Sequence, residues 1–365
     1  ARPAIAGGVA LVLMETLADF GTVQYFGVST FTTGIYRTWF ALGAPTAAAQ
    51  LAAVLMLFVL LVLALERWSR RLARYVHTAT SRPRPSYHLR GAGAALACAA
   101  CAAPVALGFA VPVLALLQMS LEHGDALFGV MFIGLAANSF VLAILAALLT
   151  VGLAVIVAYG LRLRATPLMR TSARIAALGY AIPGAVIAVG VLIPFARLDN
   201  TIDAWMRATF GISTGLLLTG TIAGLLFAYL VRFLALAFNT VEAGLTKINH
   251  NLDDAARVLG QGPSGALLRV HVPLIWTSVL TAMILVFVDV LKELPATLIL
   301  RPFNFETLAV RVYRFAQDER LAEASTAALA IVAVGLVPVI LLSRAIMRSS
   351  PIAPQLSQKE LDALR

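Results

Sequence analysis

NLDDAARVLGQGPSGALLRVHVPL, residues 251–274, is the stretch from which the rest of the chain is read. It opens on Asp254-Ala255-Ala256, reaches Gly260 four positions after the second alanine, and closes on Val270 and Val272-Pro273. Asn251 or Asp253 is placed to cap a short helix. Ala255 and Ala256 favour helix and add no bulk, so another surface can come close. Gly260 permits a left-handed stop. The expectation is a short helix lying across a membrane surface, because long apolar runs flank it on both sides.

Those runs dominate the composition. Of 365 residues, 60% are hydrophobic and 13% charged, and the mean hydropathy is +0.89. Soluble domains average about 45–50% apolar and about 25% charged. An ordinary soluble enzyme, a disordered chain and a disulfide-stapled secreted domain are therefore excluded. A bilayer core about 30 Å thick takes roughly 20 helical residues per span. Eight spans are expected, near 4–28, 44–65, 92–118, 132–160, 174–195, 213–237, 275–299 and 322–345. The runs lack the period-two alternation of membrane strands, so the fold class is all-α, a polytopic transmembrane bundle.

The net charge of +10 does not point to nucleic acid, because the basic residues sit between apolar runs. Arg67, Arg70, Arg71 and Arg74, then Arg162, Arg164, Arg170 and Arg174, then Arg344 and Arg348 fall in one set of loops. By the positive-inside rule that set is cytoplasmic, together with both termini and the 251–274 loop. Residues 67–91 form a basic linker with Pro83 and Pro85, suited to the head groups of membrane lipid.

An internal repeat appears at an offset of 274 residues. Glu15 falls on Asp289, Ala18 on Lys292, Asp19 on Glu293 and Gly21 on Pro295. After a three-residue gap, Tyr36-Arg37 falls on Tyr313-Arg314. Spans one and two thus repeat spans seven and eight in the same direction, a parallel repeat. The expected organisation is the last two spans of a first half (1–66), the linker (67–91), a complete six-span second half (92–347) and a cytoplasmic tail (348–365). On this reading the N-terminal part of the first half is missing.

Catalytic signals are lacking. No G-x-x-x-x-G-K-[ST] cradle for ATP is present, the five His are scattered, and no nucleophile sits beside a base. Cys98 and Cys101 have C-x-x-C spacing inside an Ala-rich run, with no third ligand nearby, and read as small packing residues. The chain is expected not to be an enzyme and to carry no cofactor or fixed metal.

The 251–274 pattern resembles the EAA loop of bacterial ABC importer permeases, with Asp for the usual Glu and Val for Ile and Leu. FVDVLKELPATLILRPFNFETLAVRVYRFAQDERLAEAS (287–325), YAIPGAVIAVGVL (180–192) and YLVRFLALAF (229–238) resemble the fused, two-halved ferric-iron permease of that class, over residues 1 to about 347. The resemblance implies a type I permease fold in the bacterial inner membrane. It also implies a periplasmic substrate-binding protein as donor and an ABC ATPase dimer that spends the ATP. Asp253, Asp254, Ala255, Ala256, Gly260, Val270, Val272 and Pro273 would form the ATPase-coupling loop. Thiamine, phosphonate and other small-anion permeases share this loop and are the alternative. An ion-driven secondary transporter is a further rival, though it has no use for the loop.

Ionisable residues inside spans are costly and mark functional candidates. Asp289, Lys292 and Glu293 share a helix face at i, i+3, i+4, and Glu15 and Asp19 occupy equivalent positions in the first copy. Two readings compete. In one, these acids line the outer mouth of a translocation pathway and meet a hard cation through oxygen. In the other, they form an internal ion pair that fixes helix packing. Pro183-Gly184 and Pro295 either loosen helices that move or make kinks without a mechanism. Phe303, Asn304 and residues 306–321 face the periplasm either as part of a docking surface for the binding protein or as a solvated loop.

Overall fold

The computed structural model describes residues 2–71, 89–125, 129–249 and 251–349. Most of the expected linker and tail lies outside these residues. The chain runs through α1 (Arg2–Ala18), α2 (Gly21–Tyr25), α3 (Phe31–Tyr36) and α4 (Pro45–Arg71), then α5 (Gly91–Val105) and α6 (Val111–His123). It continues as α7 (Val130–Leu163), α8 (Pro167–Ala176), α9 (Gly184–Phe210) and α10 (Ile222–Leu245). The loop region holds α11 (Asn251–Val258), α12 (Pro263–Ala266) and α13 (Val272–Leu274). The last helices are α14 (Trp276–Leu291), α15 (Pro295–Leu300), α16 (Leu308–Gln317) and α17 (Leu321–Ser349).

Among the described residues, six helices are long and apolar enough to cross a membrane, or seven if one bent pair counts as a span. These six or seven stand beside the eight expected. The first expected span, 4–28, is interrupted after Ala18, where Asp19 turns its carboxylate onto the N–H of Thr22 and starts a new helix. The seventh is interrupted in the same way after Leu291. Pro183 stands at the N-cap of α9 and Pro295 is the first residue of α15, so both lie at helix starts, where a missing N–H costs nothing, rather than inside helices.

The core lies where α7, α10 and α14 meet. The buried face of α7 is lined by Ala143, Ala146, Ala147, Ala154 and Ala158, small residues that let helices approach closely in a membrane. Gly244 on α10 shows how close: a Cβ there would lie 2.5 Å from Ser278 Oγ of α14. The continuous segment 91–123 buries none of its most apolar window. Cys98 and Cys101, read from the sequence as small packing residues, are exposed on it.

The repeat holds at the level of elements. With the 274 offset, the bounds of α1 and α2 fall in register on those of α14 and α15. With the gap of three added, α3 and α4 fall on α16 and α17. The caps repeat as well: Thr30 accepts from the N–H of Thr33 before α3, and Thr307 from Val310 before α16. The copies touch through their equivalent breaks. Phe20 stacks on Tyr36 with ring centroids 3.8 Å apart and meets Tyr313 at 5.4 Å, while the Tyr36 hydroxyl donates to the Pro295 carbonyl.

Candidate functional site

Two arrangements gather the sequence candidates. The first is the loop. α11 buries Asp253 and Ala256 and exposes Asp254, Ala255, Val258 and Leu259. Gly260 has φ +75°, the left-handed stop that the sequence called for. The following segment Pro263–Leu274 meets α14 at 79°, so the chain runs across one end of the bundle before turning into it. Val270 and Val272 are half-buried at that turn, and Pro273 is exposed.

Three details of the loop differ from expectation. Asp253 does not cap α11; it faces inward onto Arg162 at the end of α7. Asn251 is the first helical residue, and its N–H donates to Asn249 Oδ1. Ala256 is buried against the chain itself, so only Ala255 of the alanine pair offers a close approach to another surface.

Arg162 and His271 escaped sequence reasoning. Arg162 Nε and Nη2 donate to Asp253 Oδ2 at 3.0 and 2.8 Å. Its Nη1 donates to Leu245 O at 2.6 Å, and its Nη2 to Ile248 O at 3.0 Å and Asn249 O at 3.3 Å. His271 Nε2 lies 2.7 Å from Asp253 Oδ1 with its ring fully buried, and the Tyr159 ring packs on it at 5.1 Å. Burial pushes the Asp253 pKa up, but the Arg162 hydrogen bonds and charge outweigh it and hold the carboxyl below its ordinary range. In the sequence Arg162 is one of several basic residues at the ends of spans, with nothing local to mark it. His271 occupies the variable position between Val270 and Val272.

The second arrangement is a cavity of about 540 Å³ that brings together Glu15, Asp19, Asp289, Lys292 and Glu293 with Tyr180 and Arg232. All five intramembrane candidates therefore share one space, although they come from opposite ends of the chain. They are not equivalent within it. Glu293 is 4% exposed and saturated: it accepts from the N–H groups of Ala296 and Thr297, from the Thr297 hydroxyl, and from Arg232 Nη1 at 3.2 Å. Thr297 is held in turn by the Tyr229 hydroxyl at 2.6 Å. Gly184 leaves room for the pair; a Cβ there would sit 2.1 Å from Arg232 Nη1 and 2.5 Å from Glu293 Oε1. Asp289 pairs with the exposed Lys292 at 2.9 Å, and Glu15 accepts from the Tyr180 hydroxyl at 3.3 Å.

Thus Glu293 is a structural ion pair and cap, whereas Glu15, Asp19 and Asp289 keep carboxylate oxygens toward the cavity. Among the described residues, no three His, Cys, Asp or Glu side chains converge tightly enough to hold a metal ion.

A repeated bundle of broken spans, with a clamped helix across one end, defines a polytopic membrane transport component. The chain belongs to the binding-protein-dependent transport system inner membrane component family, whose model matches residues 150–350. It is similar to the Fe(3+)-transport system permease protein FbpB 2 of Haemophilus influenzae, 28% identical over 352 residues, covering 94% of this chain and 66% of that protein. It is also similar to a putative 2-aminoethylphosphonate transport system permease protein, PhnV, of Salmonella typhimurium, 26% identical over 49% of this chain and 59% of that protein. The match thus spans just under two thirds of the first relative's length and under 60% of the second's. A bacterial ABC transporter involved in import of the acidic polysaccharide alginate shares the fold, with a TM-score of 0.57 at 15% identity over 70% of this chain and 96% of that one.

Proposed function

We propose that this chain is the permease of an ATP-driven importer, with ferric iron as cargo. The observation that carries the reading is the form of α11. Its inner face is fastened to the bundle by Arg162, and Val258 at 87% and Leu259 at 78% exposure stand at its outer end, uncovered by the described residues. Apolar side chains at the tip of a rigid helix suit a groove in an ATPase. Residues 253–273 then lie in the cytoplasm with both termini, and each ATPase of a dimer takes one such loop. The sequence holds no G-x-x-x-x-G-K-[ST] cradle, so the ATP is bound by the partner ATPase.

Residues 1–66 and 92–347 serve as parts of two halves, meeting at Phe20, Tyr36 and Pro295. Ferric iron is a hard cation and prefers carboxylate oxygen, which Glu15, Asp19 and Asp289 offer. A periplasmic binding protein delivers it, with residues 306–321 as the docking segment. A second reading has one observation in its favour. The cavity of about 730 Å³ next to the acidic one contains Arg37 and Arg301 and no carboxylate, which suits an anion such as a phosphonate.

The test is uptake of radiolabelled iron into proteoliposomes that hold the full-length permease, its ATPase and its binding protein. ATP-dependent uptake that excess 2-aminoethylphosphonate leaves unchanged supports iron. Phosphonate uptake without iron uptake supports the second reading. Retention of no ATPase by the permease rejects both.

A further inference from the structure

The Arg162 cluster does more than cap the end of α7. One guanidinium holds three carbonyls at the end of α10 and the carboxylate that opens the coupling loop, and that carboxylate touches His271 at the loop's close. Start and finish of the loop are therefore pinned at a single point. Arg162 and Asp253 are 7% and 9% exposed, so the pair is shielded from water and does not swing freely.

The other end of α7 is pinned as well. The N–H of Leu308 donates to Ser139 Oγ at 2.8 Å, and Asn138 Nδ2 donates to the carbonyl of Glu306 at 3.2 Å. These bonds hold the start of α16, and Ser139 is 2% exposed. Ser139 and Arg162 are 23 positions apart on one uninterrupted helix, roughly 35 Å at about 1.5 Å per residue. The broken spans cannot serve as such a strut, because α1 stops at Ala18 and α14 at Leu291.

We propose that α7 is the transmission rod of the permease and that Arg162 is the positioning residue that joins it to the coupling loop, with Ser139 joining it to the 306–308 segment at the far side. This deepens the importer reading and rests on it. A displacement of α11 by the ATPase is carried whole to the segment proposed to dock the binding protein. A lysine cannot replace Arg162, since it lacks the planar fork that reaches carboxylate and carbonyls together.

The experiment uses the full-length permease with its ATPase and binding protein in proteoliposomes, and reads ATP hydrolysed per iron imported. A merely structural defect lowers the amount of working transporter and leaves that ratio alone. Arg162→Gln and Arg162→Lys are each expected to raise the ratio about tenfold, the scale of one lost charged hydrogen bond. Ser139→Ala, which is far from the ATPase, is expected to raise it in the same direction. An unchanged ratio in the Arg162 variants overturns the proposal. If those variants do not accumulate, the Ser139→Ala ratio decides alone, unchanged overturning and raised supporting. A wild-type permease that retains no ATPase overturns the importer reading and this inference with it.

Discussion

Asp19 and Glu293, 274 positions apart, make the same hydrogen bond. Asp19 Oδ1 accepts from the N–H of Thr22 at 3.3 Å, and Glu293 Oε1 accepts from the N–H of Ala296 at 3.0 Å. Thr22 and Ala296 are themselves 274 apart. In both copies a carboxylate stops one helix and starts the next, so the break is built into the repeat. The copies then diverge: Glu293 gains Arg232 and is sealed in, while Asp19 stays half-exposed on the cavity.

That divergence separates two variants. Glu293→Gln leaves the Arg232 charge buried without its partner, a loss of about 3 kcal/mol or more. Asp289→Asn disturbs a pair with an exposed lysine, within about 1 kcal/mol. Thermal unfolding in detergent should show a large drop for the first and almost none for the second, whereas iron uptake should fall in both. Equal melting points would contradict the structural role given to Glu293.

Gly184 must remain glycine. Its Cβ position is occupied by the Arg232–Glu293 pair, so Gly184→Ala should lower the melting temperature about as much as Glu293→Gln. Gly190→Ala on the same helix, with nothing within 4 Å, should leave it unchanged or slightly raised.

At Gly260, φ +75° costs a residue with a Cβ about 1–2 kcal/mol. Gly260→Ala should therefore fray the end of α11 and reduce uptake while the protein still inserts. Ala255→Trp should abolish ATPase retention outright, because Ala255 lies on the exposed face. Normal ATP-driven uptake by both variants would refute the coupling role of the loop.

The tip of α11 gives a sharper version. Val258→Asp together with Leu259→Asp changes two side chains that the described residues leave 87% and 78% exposed, so melting should hardly change. Capture of the ATPase should weaken by at least about tenfold, the effect of losing apolar anchors from an interface. Capture at wild-type strength would place the ATPase contact elsewhere.

Much of this protein was legible in one dimension. Apolar length decided helix and membrane, because a bilayer leaves the backbone no other way to satisfy its hydrogen bonds. The spacing from Asp254 through Gly260 announced a short helix and its left-handed stop, because both are local requirements, whereas the cap and half of the small face expected there did not form. Even the shared cavity was foreshadowed, since equal residues at an offset of 274 fall at equal depth.

What the linear order could not supply was partnership. Lys292 is the charged residue nearest Glu293 in sequence, yet it points to Asp289, and the partner of Glu293 is Arg232 from α10. Asp253 looked like a cap and proved to be one side of a buried clamp with Arg162, 91 residues away. Sequence therefore determined which elements form and which residues repeat, because helix, turn and hydrophobic length are set within a few residues. Only the tertiary structure decided which charges neutralise which, because that depends on where separate helices cross, and in a low-dielectric interior each buried charge must meet its counterpart there.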